Sequence, residues 1–182
     1  MNSAPHHIIT TASDPELKKI WQILETVDDP EVPVLSVIDL GIVRDVKFLP
    51  YPPSGDGGGI EVVITPTYTG CPAMDMITMN IKMTLLEHGY HNVKVIAVLS
   101  PAWTTDWMSE EGKRKLKEYG IAPPNAKQQV CDQKLFAEAE AVQCPHCNSY
   151  HTHRISEFGS TACKALYQCD DCKEPFDYFK CH

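Results

Sequence analysis

The spacing of apolar residues along the chain changes repeatedly, and each change marks a predicted helix or strand. Residues 15–27 place apolar side chains three and four positions apart, which is typical of one face of an amphipathic helix. The side chains on this face are Leu17, Ile20, Trp21, Leu24 and Val27. Pro15 suits the first turn of a helix, where its missing N–H costs nothing. We therefore predict a first helix that begins just after Asp14.

Two strands joined by a long loop are predicted next. Residues 41–49 are rich in apolar and β-branched side chains, as strands are. The following segment, PYPPSGDGGG, contains too much proline and glycine to continue a strand. The strand pattern resumes in IEVVITPTY, residues 60–68. We expect these two strands to form a β-hairpin with a long tip.

A second helix and a third strand follow. Pro72 suits the first helical position and Gly89 the end of the helix. The buried stripe of this helix is predicted to be Met74, Ile77, Ile81 and Leu85. Residues 92–100, NVKVIAVLS, are nearly all apolar, which favours a central strand covered on both faces.

A last helix is predicted between a Ser109 cap and Gly120, and residues 121–126, IAPPNA, are expected to interrupt regular structure. The order helix, strand, strand, helix, strand, helix indicates a small α/β sandwich with its helices packed on a mixed sheet.

The chain of 182 residues is long enough for one such domain and a small appendage. We predict a disordered tail over 1–13, a first domain over 14–125, a linker over 126–141 and a cysteine-rich domain over 142–182. The fold class is therefore α+β, with a small C-terminal module after the sandwich.

The C-terminal module is predicted to bind a metal ion. Six of the eight cysteines lie in residues 142–182, and four of them form two CxxC pairs. These four are Cys144, Cys147, Cys169 and Cys172. Two CxxC turns at this separation are typical of a structural, four-cysteine zinc ribbon. A rubredoxin-like iron centre and a dithiol redox pair are weaker alternatives.

Further potential ligands crowd the same region, so an alternative or second site stays open. They are Cys163, Cys181, His146, His151, His153 and His182, each of which is more often a surface or packing residue. The pattern assigns none of them a role.

Cys71 is the one cysteine before the linker, and it falls at the start of the predicted second helix. Helix amides and the helix dipole favour a thiolate there, so Cys71 is a candidate reactive or metal-binding thiol. A buried, inert side chain is an equally open interpretation. The carboxylates of Asp29, Glu31 and Asp39 are candidate co-ligands, although such residues often only cap turns. One thiol needs partners from carboxylates, a second protomer or a client protein to complete a metal shell.

Composition and charge exclude several classes of function. The net charge of −8 and the absence of a basic patch argue against nucleic-acid binding. No apolar run is long enough to span a membrane, and the first residues lack a secretory signal, so we expect a cytoplasmic protein. The Glu-x-x-His pairs of di-iron bundles and the GxGxxG nucleotide loop are also missing from the sequence.

Three motifs in the first domain resemble the MIP18 family, also called domain of unknown function 59. These motifs are DDPEVP at 28–33, IDLGIV at 38–43 and TPTYTGCP at 65–72, and the resemblance covers residues 14 to about 120. It implies an iron–sulfur assembly-like fold and a role in the maturation of iron–sulfur proteins. The family's signature cysteine corresponds to Cys71, which would then hold iron or a cluster transiently.

Nearly the whole chain is similar to the D subunits of bacterial phenylacetyl-CoA epoxidases. The similarity lies in SPAWTTDWMSEEGKRKL, EFGSTACKALYQC and EPFDYFKCH. It implies an accessory protein in aerobic phenylacetate degradation that matures the di-iron oxygenase or the iron–sulfur reductase of the complex, without performing the oxygenation itself. Those two proteins, and a second copy of this chain, are the expected partners. A rubredoxin-like electron-transfer protein and a non-catalytic scaffold remain the alternatives.

Overall fold

The computed structural model describes residues 14–49, 58–124 and 142–180. The predicted tail over 1–13, the predicted linker over 126–141, and Cys181 and His182 lie outside the described residues.

The first domain contains the predicted elements in the predicted order. They are α1 (Pro15–Leu24), β1 (Val43–Leu49), β2 (Gly59–Ile64), α2 (Met74–Glu87), β3 (Val93–Ala97) and α3 (Glu110–Tyr119), with a short 3-10 helix at Thr105–Trp107. Strands β1 and β2 pair antiparallel, whereas β2 and β3 pair parallel. The mixed α/β sandwich is therefore confirmed. Its core is built from the inner faces of α1, α2 and the sheet.

The helix ends follow the capping residues that the sequence offers. The Asp14 side chain accepts a hydrogen bond from the Glu16 amide at 2.9 Å, and the Ser109 hydroxyl accepts one from the Gly112 amide at 2.8 Å. Helix α3 ends at Gly120, which adopts the left-handed conformation at φ 90°. The predicted bounds of the third helix are confirmed.

Two predictions about the first domain are wrong in detail. Strand β3 is an edge strand among the described residues, and β2 is the central strand that carries the deeply buried side chains. Helix α2 begins at Met74 rather than at Pro72. The preceding residues instead form a turn, in which the Cys71 amide donates to Tyr68 O and the Met74 amide donates to Cys71 O, both at 3.3 Å.

The C-terminal module is a four-stranded sheet to which the first domain contributes one strand. Its own strands are β5 (Thr152–Ser156), β6 (Lys164–Cys169) and β7 (Pro175–Phe179). Residues Ile121–Ala122 form β4, which pairs parallel with β7 at the sheet edge. The expectation that residues 121–126 lack regular structure is therefore wrong for this dipeptide. Both residues are buried, Ile121 in the core of the first domain and Ala122 in that of the ribbon.

The two domains share a packed junction. Phe179, at the end of β7, is 1% exposed and belongs to the hydrophobic core of the first domain, as does Cys163. The rings of Phe179 and Trp103 meet edge to face, with centroids 6.1 Å apart. Trp103 is fixed in turn, because its indole N–H donates to Leu40 O at 2.9 Å. The ribbon is thus docked on the sandwich rather than tethered beside it.

Candidate metal centre and junction thiols

Two turns with the same backbone hydrogen bonds carry the four CxxC cysteines. In the first turn the Asn148 amide donates to Cys144 O at 2.9 Å; in the second the Lys173 amide donates to Cys169 O at 3.0 Å. Asn148 and Lys173 both adopt a positive φ, of 62° and 67°. This left-handed residue reverses the chain just after the second cysteine of each pair, so that both sulfurs of a turn point to the same side.

The four sulfur atoms converge on one point. They all lie within 4.8 Å of one another, and they form the only such group of three or more potential ligands among the described residues. The Cys144 and Cys172 sulfurs are 3.8 Å apart, and those of Cys147 and Cys169 are 3.5 Å apart. A tetrahedral ion with metal–sulfur bonds of about 2.3 Å requires sulfurs about 3.8 Å apart. The arrangement of the four sulfurs therefore fits a tetrahedral metal ion.

Backbone amides in the second turn donate to its sulfur atoms. The amides of Cys172 and Asp171 donate to the Cys169 sulfur, and these bonds lower the pKa of Cys169 to about 7. Hydrogen bonds of this kind stabilise the thiolate, which is the form that binds metal. The Glu174 amide likewise donates to the Cys172 sulfur, but burial and the neighbouring thiols raise the pKa of Cys172 to about 12. The spacing of the sulfurs, rather than a lowered pKa at all four, is therefore the feature that points to a metal.

The histidines of the ribbon contact residues other than the four cysteines. His151 and His153 are exposed, and their Nδ1 atoms lie 3.3 Å from Asp171 and 3.0 Å from Asp170. The ring of His146 packs beside Gly120, at the end of α3. The four-cysteine set is thus complete without a histidine ligand.

The candidate transfer residue Cys71 lies half-buried in the turn before α2. Burial raises the pKa of Cys71, and the negative charges of Glu31 and Asp29 raise it further. The Ala73 amide and the Tyr68 hydroxyl donate to the sulfur and act in the opposite direction. The helix start therefore does not produce a free thiolate, contrary to the expectation from its position. In the absence of a cation, Cys71 is a protonated thiol at neutral pH.

Asp29 and Glu31 belong to one tight turn. The Asp29 carboxylate accepts hydrogen bonds from the amides of Glu31 at 2.7 Å and Val32 at 2.8 Å. Burial raises the pKa of Asp29, although these two amides and the charge of Lys164 lower it. Asp29 therefore shapes the turn, whereas the Glu31 side chain extends from it toward the junction, with one oxygen 3.8 Å from the Cys163 sulfur.

The carboxylate of Asp39 takes part in a different network. It accepts hydrogen bonds from the Ser109 hydroxyl at 2.8 Å, from Lys115 Nζ at 2.6 Å and from the Ser36 amide at 3.3 Å. Burial alone would raise the pKa of Asp39, but these three donors lower it below its ordinary value. Asp39 thus ties the loop before β1 to the start of α3.

Sequence reasoning missed the position of Cys163. This cysteine precedes β6, yet its side chain enters the core of the first domain, beside Glu31. The signal in the sequence was weak: Cys163 is a ribbon cysteine outside both CxxC pairs, and no spacing rule connects it to a turn more than a hundred positions earlier.

Comparisons with known proteins agree with this two-part architecture. Residues 17–96 match the family model described as an iron–sulfur cluster assembly protein, and residues 128–180 match the model described as a PaaD zinc beta ribbon domain. A protein of Escherichia coli (strain K12), whose name describes it as a candidate D subunit of 1,2-phenylacetyl-CoA epoxidase, is 47% identical over 173 residues. The alignment covers 95% of this chain and 98% of that relative. This chain belongs to the family of epoxidase D subunits.

Two further matches cover the first domain of this D-subunit family member. A Porphyromonas gingivalis (strain ATCC BAA-308 / W83) protein named Fe-S protein maturation auxiliary factor is 37% identical over 98 residues, or 53% of this chain and 87% of the relative. The crystal structure of a domain of unknown function 59 from Bacillus anthracis is 28% identical, with a TM-score of 0.48, over 54% of this chain and 89% of that one. Within the described segments, no helix has the length and apolar character needed to cross a membrane.

Proposed function

We propose that this protein is an accessory maturation factor of the phenylacetyl-CoA epoxidase complex in aerobic phenylacetate degradation, acting in the cytoplasm. Cys71 transiently holds iron or an iron–sulfur cluster and passes it to the di-iron oxygenase or to the iron–sulfur reductase of the complex. The observation that carries this proposal is the setting of Cys71: a half-buried thiol beside two carboxylates and a phenol. The names of the relatives from Escherichia coli and Porphyromonas gingivalis support it.

The groups around Cys71 suit a cargo that arrives and leaves. The thiol loses its proton to solvent as the sulfur–iron bond forms, because the positive charge of the metal offsets the burial and the carboxylates that keep it protonated at rest. The Tyr68 hydroxyl donates to the sulfur and holds its direction. Release is the reverse: a ligand of the client replaces the Cys71 sulfur on the metal, and the thiol regains a proton. No electron is transferred in this exchange.

The four-cysteine site has a structural role in this proposal, and zinc is its metal. The four cysteine sulfurs would fill all the positions of a tetrahedral ion and would leave none open for a substrate or for cargo. Bound zinc supplies folding free energy to a sheet with a small core of its own. The ribbon thereby holds Phe179 and Cys163 in place at the junction.

The test is to produce the client proteins together with either wild-type protein or Cys71→Ser. We expect the variant to keep its fold and its ribbon metal but to leave the client without iron and without epoxidase activity. Thr69→Ala is the matched control, because Thr69 lies in the same loop and is exposed. Full client activity beside Cys71→Ser, with the control also active, would refute the proposed function.

A further inference from the structure

We propose that Cys163 and Glu31 complete, together with Cys71, a second metal site at the junction of the two domains, with a mixed thiolate and carboxylate donor set suited to ferrous iron. The site deepens the proposed function and rests on it, because Cys71 is its first ligand. Its new element is the contribution of the ribbon, which supplies the second thiol.

Cys163 is held at the junction by contacts on both sides. Its carbonyl oxygen accepts a hydrogen bond from the Lys180 amide at 3.0 Å, which extends the pairing of β6 with β7 by one residue and fixes the backbone of Cys163. Its sulfur lies 3.0 Å from the Thr161 hydroxyl and 3.8 Å from Glu31 Oε2. Only 4% of Cys163 is exposed, so its sulfur faces the first domain rather than solvent.

Glu31 is oriented toward Cys163 by both domains. The Asp29 carboxylate holds the turn through the amide of Glu31, and the ribbon residue Lys164 donates from Nζ to Glu31 O at 3.4 Å. Lys164 is itself buried. The backbone of Glu31 is therefore fixed, whereas its half-buried side chain remains able to turn between Cys163 and solvent.

The two thiols interact with the same two carboxylates. The charges of Glu31 and Asp29 act on Cys71 and on Cys163, in both cases raising the pKa of the thiol. The Tyr68 hydroxyl donates to the Cys71 sulfur, and burial together with the charges of Cys71, Glu31 and Cys163 raises the pKa of Tyr68 to about 12. Burial is also the main reason that the pKa of Cys163 rises to about 11. The junction thus gathers two thiols and two carboxylates around one phenol.

Two buried lysines also act on this group: the charge of Lys164 lowers the pKa of Cys163 and of Asp29, and Lys180 interacts with Cys163. Two thiols and two carboxylates outnumber these two cations, so the group can accept a metal ion as the thiols ionise. Two thiolates and one carboxylate are a donor set used for iron and zinc, and three protein ligands leave a coordination position for a ligand of the client. In the structure these side chains lie farther apart than the four ribbon cysteines, which are the only close group of three or more potential ligands among the described residues. Rotation of the Cys71 and Glu31 side chains, both only partly buried, closes the site on an ion.

The competing interpretation makes Cys163 an inert packing residue, as buried cysteines often are. The two interpretations differ in what happens to metal binding when the sulfur is removed but the packing is kept. A packing residue affects stability and leaves the spectrum of a metal at Cys71 unchanged. A ligand changes that spectrum directly.

The experiment uses the zinc-loaded full-length chain, titrated without air with Co²⁺ as a coloured substitute for Fe²⁺. Thiolate-to-cobalt charge-transfer absorption per bound ion reports the number of sulfur ligands, while zinc retained in the same sample reports the ribbon. We expect this absorption to fall to about half in Cys163→Ala and in Cys71→Ser, as two sulfurs become one. Glu31→Gln should keep the full absorption per ion and weaken Co²⁺ binding by about tenfold or more, on the order of the losses seen when metal-site partners are removed.

The outcomes separate this inference from the proposed function. Wild-type absorption and affinity in Cys163→Ala, with loss in Cys71→Ser, would overturn the shared site while leaving the role of Cys71 standing. Loss of zinc in Cys163→Ala would show that this substitution damages the ribbon. The decision then comes from Glu31→Gln, which leaves the ribbon sequence intact. Unchanged Co²⁺ affinity in Glu31→Gln would overturn the inference. Client activity in the presence of Cys71→Ser addresses the proposed function alone.

Discussion

Removal of the Phe179 ring tests whether the ribbon and the sandwich are one folding unit. Phe179 belongs to the ribbon strand β7, but its ring is buried in the core of the first domain, against Trp103. Truncation of a buried phenylalanine to alanine costs about 3–5 kcal/mol, because apolar burial is lost and a cavity remains. We therefore expect Phe179→Ala to destabilise the first domain by about that amount, although the substitution lies outside it.

Urea unfolding followed by tryptophan fluorescence measures this effect, because all three tryptophans lie before residue 108 and report only on the first domain. With a urea dependence of roughly 2 kcal/mol per molar, a loss of about 4 kcal/mol shifts the midpoint down by roughly 2 M. Zinc release to a coloured chelator, measured in parallel, follows the ribbon.

Phe176→Ala is the matched control. Phe176 is also buried, but it stacks on Tyr167 inside the ribbon, with centroids 6.0 Å apart. We expect it to speed zinc release with a smaller change in the fluorescence midpoint than Phe179→Ala. A Phe179→Ala midpoint equal to that of the wild type would refute the shared core.

Two further substitutions test local features of the first domain. Gly41→Ala would place a methyl group 2.1 Å from Trp107 O at a φ of 66°, so we expect a severe loss of thermal stability. Gly89→Ala is the control, because Gly89 also has a positive φ, of 91°, but no atom lies within 4 Å of the added methyl group. We expect it to lower the free energy of unfolding by only about 1–2 kcal/mol. Asp39→Asn should destabilise by about 1–3 kcal/mol at neutral pH, because it weakens the hydrogen bonds to Lys115 and its neighbours. Since the folded-state pKa of Asp39 is lowered, this contribution is present above the unfolded-state pKa of about 3.9 and is lost as the pH falls through the folded-state value. Urea midpoints of wild type and Asp39→Asn should therefore converge in acid, and a gap that persists there would contradict this assignment.

Local patterns were sufficient to predict most of the elements and the ribbon site. Helix α3 has a serine cap and a glycine stop, and its predicted bounds agree with the structure. The four-cysteine site was predictable because a CxxC turn brings its two sulfurs together by local geometry alone.

The errors arose where pairing between distant segments decides the structure. An apolar run does not reveal whether its strand is central, and β3 lies at the edge of the described sheet because β2 pairs on both sides. Ile121–Ala122 forms a strand because β7 offers it a free edge. Cys163 meets Glu31 only after the ribbon docks, so no sequence period could have predicted that contact.

The most direct test of the proposed role of Cys71 is the zinc, iron and acid-labile sulfide content of full-length protein purified without air, wild type beside Cys71→Ala. We predict one zinc per chain in both proteins, held by the ribbon cysteines, and iron, with or without sulfide, in the wild type alone. Equal iron in both proteins, or iron in place of zinc at the ribbon cysteines, would contradict this role.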